Sequence, residues 1–133
     1  MIHKHPPRPE RLRQIPPSFS WVDHRLGRHH HLRRAEPQAW ALYLFLLTVA
    51  DSRGLSYYSE ASIARHLNLE PLAVTAARQR LVELDLVAFR KPLYQVLALP
   101  EDARVALAAT EPRGGTARRV GDILRQALEG GRP

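Results

Sequence analysis

A mostly α-helical fold with one small β element is what this 133-residue chain predicts, on three observations. The apolar run Ala39 to Ala50, "AWALYLFLLTVA", is too long for a strand and much shorter than the ~20 residues that cross a bilayer, so it reads as a buried helix. Two stretches of helical period, Ser59 to Leu67 and Pro71 to Leu84, are separated only by "NLE". Two short apolar runs, Leu86 to Arg90 and Leu93 to Leu99, are joined by Lys91 and Pro92 and read as a tight hairpin.

Taken in order, residues 1–17 hold five prolines, which remove backbone donors and disfavour helix. They predict an extended, poorly ordered basic tail. Ser18 to Leu26, "SFSWVDHRL", alternates between two sides and predicts a short strand. Pro37 is suited to a first helical position, and the helix it opens has apolar groups on every face, which marks it as central and most buried. "DSRG" then ends it, with Gly54 suited to the helix end.

Ser59 is an N-cap for a helix with Ile63, Ala64 and Leu67 on one face. Pro71 opens the next helix, whose inner side is Val74, Ala77, Leu81 and Leu84. After the hairpin, "EDARVALAA" predicts a helix and "TEPRGG" a break. A last amphipathic helix follows from about Thr116, with Val120, Ile123, Leu124, Ala127 and Leu128 on one stripe. Either that stripe packs on the domain or it makes a homodimer contact. The expected organisation is a tail (1–17), a domain (18–99) and a helical extension (100–133).

The segment "SIARHLNLEPLAVTAARQRLVELDLVAF", preceded by "WALYLFLLTVADSRGLSYY", resembles the winged helix-turn-helix family over roughly Phe19 to Leu99. Ile-Ala opens the first helix of the pair, Leu-x-Leu flanks the turn, a Val-Leu stripe anchors the recognition helix, and Leu-Val enters the wing. Within that family it is similar to the winged helices of plasmid and phage replication proteins and mobile-element accessory proteins. Asn68 stands where the family usually has glycine, and asparagine tolerates the left-handed conformation such a turn needs. Glu70 stands where Ser or Thr usually caps the recognition helix; its charge suits the helix dipole and repels phosphate.

The resemblance implies double-stranded DNA as partner. On a helical wheel the outward residues of the recognition helix are Leu72, Thr75, Ala76, Gln79 and Glu83, with Arg80 on the flank and Arg78 leaning toward the core. No arginine or lysine lies at the centre of this face to bind guanine in bidentate fashion. Gln79 would pair with adenine, and Thr75 or Ala76 would touch a thymine methyl. Arg65, Arg80, Arg90 and Lys91 sit where the family's phosphate contacts usually fall.

Charge points the same way. Residues 1–34 hold 8 basic and 2 acidic groups, net +6, residues 35–100 hold 6 and 6, and residues 101–133 hold 6 and 5. Six of the seven histidines also lie in the first 34 residues, so the excess of positive charge is N-terminal and predicts a polyanion partner. "RHHHLRR" (28–34) lies at the inner end of that segment. Consecutive histidines point in divergent directions and lack further ligands, so they make a poor metal site, and an expression tag would not be embedded in the fold. The reading is a polyanion-binding arm with Arg28, Arg33 and Arg34 as constant charges, the histidines adding charge only in mild acid.

Other chemistry finds little support. Without cysteine there is no disulfide framework, thiolate zinc site or cysteine nucleophile, which fits a cytoplasmic protein. Ser59, His66 and Asp51 are better explained as cap and surface residues than as a triad, and "RGG" at 113–115 lacks the Lys-Ser/Thr of a phosphate loop. Tyr57, Tyr58 and Tyr94 would stack on bases or pack at the core and rim, the latter being commoner in so small a domain.

The expectation is a non-enzymatic DNA-binding protein with no cofactor, metal or membrane association. Its role is that of a transcriptional regulator or a replication or mobile-element accessory factor. The alternative is a winged helix that docks a replication or transposition protein through the apolar Leu72 to Ala77 face.

Overall fold

The computed structural model describes residues 3–100 and Asp102. Its helices are α1 (Arg25–Arg28), α2 (Pro37–Val49), α3 (Glu60–Leu67) and α4 (Pro71–Glu83). Strands β1 (Leu55–Tyr57), β2 (Val87–Arg90) and β3 (Leu93–Val96) form one antiparallel sheet with β3 in the middle. Helices with a small antiparallel sheet are therefore the architecture, as the sequence predicts. No helix among the described residues is long and apolar enough to cross a membrane.

Local chemistry accounts for most boundaries. Pro37 and Pro71 each occupy the first turn of their helix, where a missing N–H costs nothing. Ser59 Oγ accepts from the Ser62 N–H at 3.1 Å and caps α3. At the other end of α3, Asn68 adopts φ 55° and ψ 47°, the left-handed turn expected of it, and its N–H closes on Ala64 O. The chain then needs only Leu69 and Glu70 before α4 begins.

α2 lies against α3, α4 and β3 and buries Ala39, Leu42, Tyr43 and Leu46. Ile63 of α3, Val74 and Leu81 of α4, and Leu86, Val87 and Tyr94 of the hairpin complete a core whose side chains are all but sealed from water. Each such side chain contributes about 1.5–3 kcal/mol by leaving water. The inner sides predicted for α3 and α4 are the ones that face this core. α2 is central but not buried all round, because Leu44 on its opposite side is 58% exposed.

Two further expectations need correction. Ser18 to Leu26 forms no strand: the stretch up to Val22 is exposed and unpaired, and Asp23 Oδ1 accepts from the Arg25 N–H at 2.9 Å, starting the helical turn α1. A short carboxylate that bonds its own downstream backbone competes with sheet pairing. The third strand is instead Leu55–Tyr57, paired to β3 through Ser56 and Tyr94.

Gly54, expected at the end of α2, serves that strand rather than the helix, which stops at Val49. It sits at φ +83°, its carbonyl accepts from Val96 N–H at 2.8 Å, and an added Cβ would lie 2.6 Å from Val96 O. Only glycine fits so close to β3.

The N-terminal segment is an extended coil with a 3-10 turn at Pro9–Arg11, and residues 3–22 are all exposed. It meets the domain at Ser20, whose hydroxyl donates to Leu47 O at 2.6 Å, and at the buried Leu26 and His31. A second 3-10 turn, His31–Arg34, leads into α2, and Trp40 Nε1–H donates to Leu32 O at 2.9 Å across that junction. Past the hairpin, Pro100 and Asp102 turn helical, with Asp102 N–H bonded to Leu99 O. The remainder of the expected C-terminal extension, including the stripe from Val120 to Leu128, lies outside the described residues.

Candidate nucleic-acid interface

The surface of α4 is divided as the helical spacing predicts, with two exceptions. Leu72, Ala76, Gln79 and Glu83 are exposed, and Leu72 at 84% is almost fully in water. Thr75 is half-buried and its hydroxyl donates to Pro71 O at 3.2 Å, so its one proton is already engaged. Val82, absent from the predicted outward set, is 44% exposed.

The two arginines of α4 are both engaged. Arg78 donates to Glu60 Oε1 at 2.6 Å and to the Tyr94 hydroxyl at 3.3 Å, and its guanidinium lies 4.2 Å from the centre of the Phe89 ring. This one side chain ties the start of α3 to both strands of the hairpin. The Arg78 hydrogen bond holds the Glu60 carboxyl below its usual range. Arg80 donates to Glu83 at 3.2 Å across one helical turn. Its Nε is buried with no partner, so this guanidinium is only partly available to an external anion.

The other cations of the expected interface, none of them in an ion pair among the described residues, are elsewhere. Arg65 is exposed on α3, and Arg90 and Lys91 are exposed at the hairpin tip, where the Lys91 charge also helps to lower the Glu60 carboxyl. Arg28 closes α1, while Arg33 and Arg34 are exposed in the turn before α2. The expected sites thus fall into two groups on different elements. Arg65, Gln79, Ala76, Arg90 and Lys91 belong to the packed unit of α3, α4 and the hairpin. Arg28, Arg33 and Arg34 belong to the N-terminal segment, which makes no extensive contact with that unit.

The "HHH" triplet is split by the backbone. His29 and His30 are exposed, whereas His31 is buried at 3% and belongs to the fold. His30 takes a left-handed φ of 64°, which turns the chain between α1 and the 3-10 turn and prevents a continuous histidine face. No cluster of metal-ligating side chains occurs among the described residues.

Of the tyrosines, Tyr94 is fully buried and Tyr58 packs edge-on against Phe45 at 5.1 Å. Only Tyr57 is open to a partner, at 69% exposure. Ser59 is occupied as a cap, the His66 ring lies on Phe45 at 5.1 Å, and Asp51 accepts from the Arg53 and Leu55 N–H groups. Those backbone donors hold the Asp51 carboxyl below its ordinary range.

Sequence reasoning missed the ion cluster that fastens the N-terminal segment. Arg25 binds Asp102 in bidentate fashion at 2.8 and 2.7 Å and Asp23 at 2.8 Å. Arg25 is thereby removed from the set of free N-terminal charges. The Arg25 side chain and backbone N–H hold the Asp23 carboxyl down to about 2. The "D-x-R" at 23–25 carried the local half of this signal, but nothing local pointed to Asp102.

No protein-family profile, curated protein or solved structure matches this chain.

Proposed function

We propose that the chain is a non-enzymatic winged-helix protein that binds double-stranded DNA, as a transcriptional regulator or a replication or mobile-element accessory factor. Support comes from the order helix, strand, helix, left-handed turn, helix and hairpin, with β3 between β1 and β2. This is how a winged helix-turn-helix is built, and α4 takes the place of its recognition helix. The observation that carries the reading is the distribution of free cations. Arg65, Arg90 and Lys91 border α4, and Arg28, Arg33 and Arg34 cap the N-terminal segment, while the exposed centre of α4 is neutral.

Affinity in this reading comes mainly from phosphates and sequence preference is limited. Gln79 to adenine and Ala76 to a thymine methyl are the contacts open to α4, so A·T steps are favoured. Thr75 contributes its methyl group, its hydroxyl being bonded to Pro71. The test is duplex binding as a function of salt by the full chain and by a variant with Arg28, Arg33 and Arg34 changed to Gln. If all three touch phosphate, the log-log slope falls by roughly 0.9 for each phosphate left unneutralised. An unchanged slope removes the N-terminal segment from the interface. A site selection that returns a guanine-rich motif under α4 removes the readout assigned to Gln79.

One observation favours a second use. Leu72 and Val82 are exposed on α4 beside Ala76, an apolar strip suited to a protein partner such as a replication or transposition factor. Absence of duplex binding at low salt, with partner binding abolished in Leu72→Asp, selects that use.

A further inference from the structure

α2 has apolar side chains on every face, yet the core leaves the side centred on Leu44 open. On its other side Trp40, Leu44 and Leu47, with one edge of the otherwise buried Tyr43, form with Val22 and Leu32 an open, largely apolar groove of about 550 Å³, to which Asp23, His24 and Arg28 also contribute. Leu44 is 58%, Val22 54% and Leu32 51% exposed. Open apolar surface of this kind is normally covered.

The course of the chain indicates what covers it. The last described residue, Asp102, is held by the bidentate pair to Arg25, and Arg25 also binds Asp23, which lines the groove. The chain therefore departs from the groove wall, with 31 residues still to follow. Those residues include Val120, Ile123, Leu124, Ala127 and Leu128, at the spacing of one helical stripe. The 13 residues between Asp102 and Thr116 reach roughly 40 Å when extended, well beyond what the groove's nearness to Asp102 requires. A short tether also gives the stripe an effective concentration on the order of millimolar at its own groove, which favours the same chain over a second copy.

We infer that the C-terminal stripe Val120 to Leu128 seats in the groove between α2 and the Val22 to Leu32 segment of the same chain. Seating it there buries the open side of α2 and clamps the N-terminal segment against the domain. Arg28, Arg33 and Arg34 are thereby held in a fixed place instead of on a loose arm.

Trp40 lines the groove and, in a Trp21→Phe background, is the chain's one tryptophan, so its fluorescence reports the occupant. The full chain is compared with two full-length variants, Ile123→Asp with Leu124→Asp, and Leu44→Asp. Leu72→Asp on α4 serves as control. Both test variants should red-shift Trp40 emission and raise its acrylamide quenching severalfold, the control should do neither, and light scattering should give a monomer throughout. Unchanged Trp40 quenching in the Ile123/Leu124 variant overturns the inference. So does a dimer that dissociates in that variant together with the loss of Trp40 shielding, since the groove would then be covered by a second copy.

Discussion

Residues 35–100 and residues 1–34 use their charges in opposite ways. In the first, six cations face six anions, and two of the pairs are internal: Arg78 with Glu60 and Arg80 with Glu83. In the second, 8 cations face 2 anions, and those two acids, Glu10 and Asp23, are satisfied by Arg8 and Arg25. Apolar groups divide the other way. Among the described residues every buried apolar side chain but Leu26 lies in the later region, while Phe19 and Trp21 stand 65% and 74% exposed. Stability is concentrated in one region and net potential in the other, so substitutions that damage one should spare the other.

The largest contrast should appear in duplex binding. Changing Lys4, Arg11, Arg13, Arg28, Arg33 and Arg34 to Gln should flatten the salt dependence by roughly 5 in a log-log plot if each touches phosphate. It should also lower affinity at moderate salt by orders of magnitude. The corresponding change at Arg65, Arg90 and Lys91 should remove about 3. A larger effect from the second set breaks the comparison and moves the weight of binding onto the packed unit.

Urea denaturation should give the reverse ranking. Leu81→Ala, at a side chain with no exposure, should cost about 2–5 kcal/mol by leaving a cavity among α2, α4 and the hairpin. Phe19→Ala should stay within about 0.5 kcal/mol, as an exposed substitution does. Next in size is Arg78→Ala, which leaves Glu60 and the Tyr94 hydroxyl without their shared donor and uncovers Phe89. We expect about 1–3 kcal/mol, with no rescue by lysine, whose ammonium cannot donate to Glu60 and Tyr94 while covering the Phe89 ring as the flat guanidinium does. Asn68→Ala should cost about 1 kcal/mol, because alanine resists the left-handed turn that Asn68 makes, and Asn68→Gly should be close to neutral.

What could be read from the sequence follows the range of the interactions involved. Ser59, Asn68, Pro37 and Pro71 act within a few residues of themselves, and each does in the structure what its side chain predicts. The inner faces of α3 and α4 were legible because one apolar stripe dominates each. α2 offers no such contrast, so its pattern identified a helix but not which side would be covered, and the groove over Leu44 went unseen. β1 has three residues and only its pairing with β3 defines it. The alternation in Ser18 to Leu26 gave a false strand, because Asp23 turns the chain into α1 and the segment pairs with no strand. At the interface, the wheel placed Gln79 and Ala76 correctly on the surface. It could not reveal that the Thr75 hydroxyl turns back to Pro71, or that Arg80 is drawn to Glu83. His31 looked like its two neighbours until the left-handed His30 turned it inward.

The smallest effect expected tests the joint between the two regions. Asp23 in the folded chain titrates at about 2 because the Arg25 guanidinium and N–H favour its charged form, while an unperturbed aspartate titrates near ~3.9. A lowered folded-state value means that the contribution is complete above the unfolded value and is lost as pH falls from about 4 toward 2. Asp102, lowered by the same arginine, reinforces the trend. Both carboxylates are partly exposed, so water screens the pairs and the loss should be modest. Acid should therefore release the N-terminal segment before the core of α2, α4 and the hairpin unfolds. In the Trp21→Phe background, Trp40 fluorescence, which senses the Val22 to Leu32 wall, should change at higher pH than far-ultraviolet circular dichroism. In Asp23→Asn the wall is already loosened at neutral pH, and the gap between the two transitions should narrow. Coincident transitions with Asp23 intact would mean that the two regions unfold as one, and that the Arg25 cluster is not the joint between them.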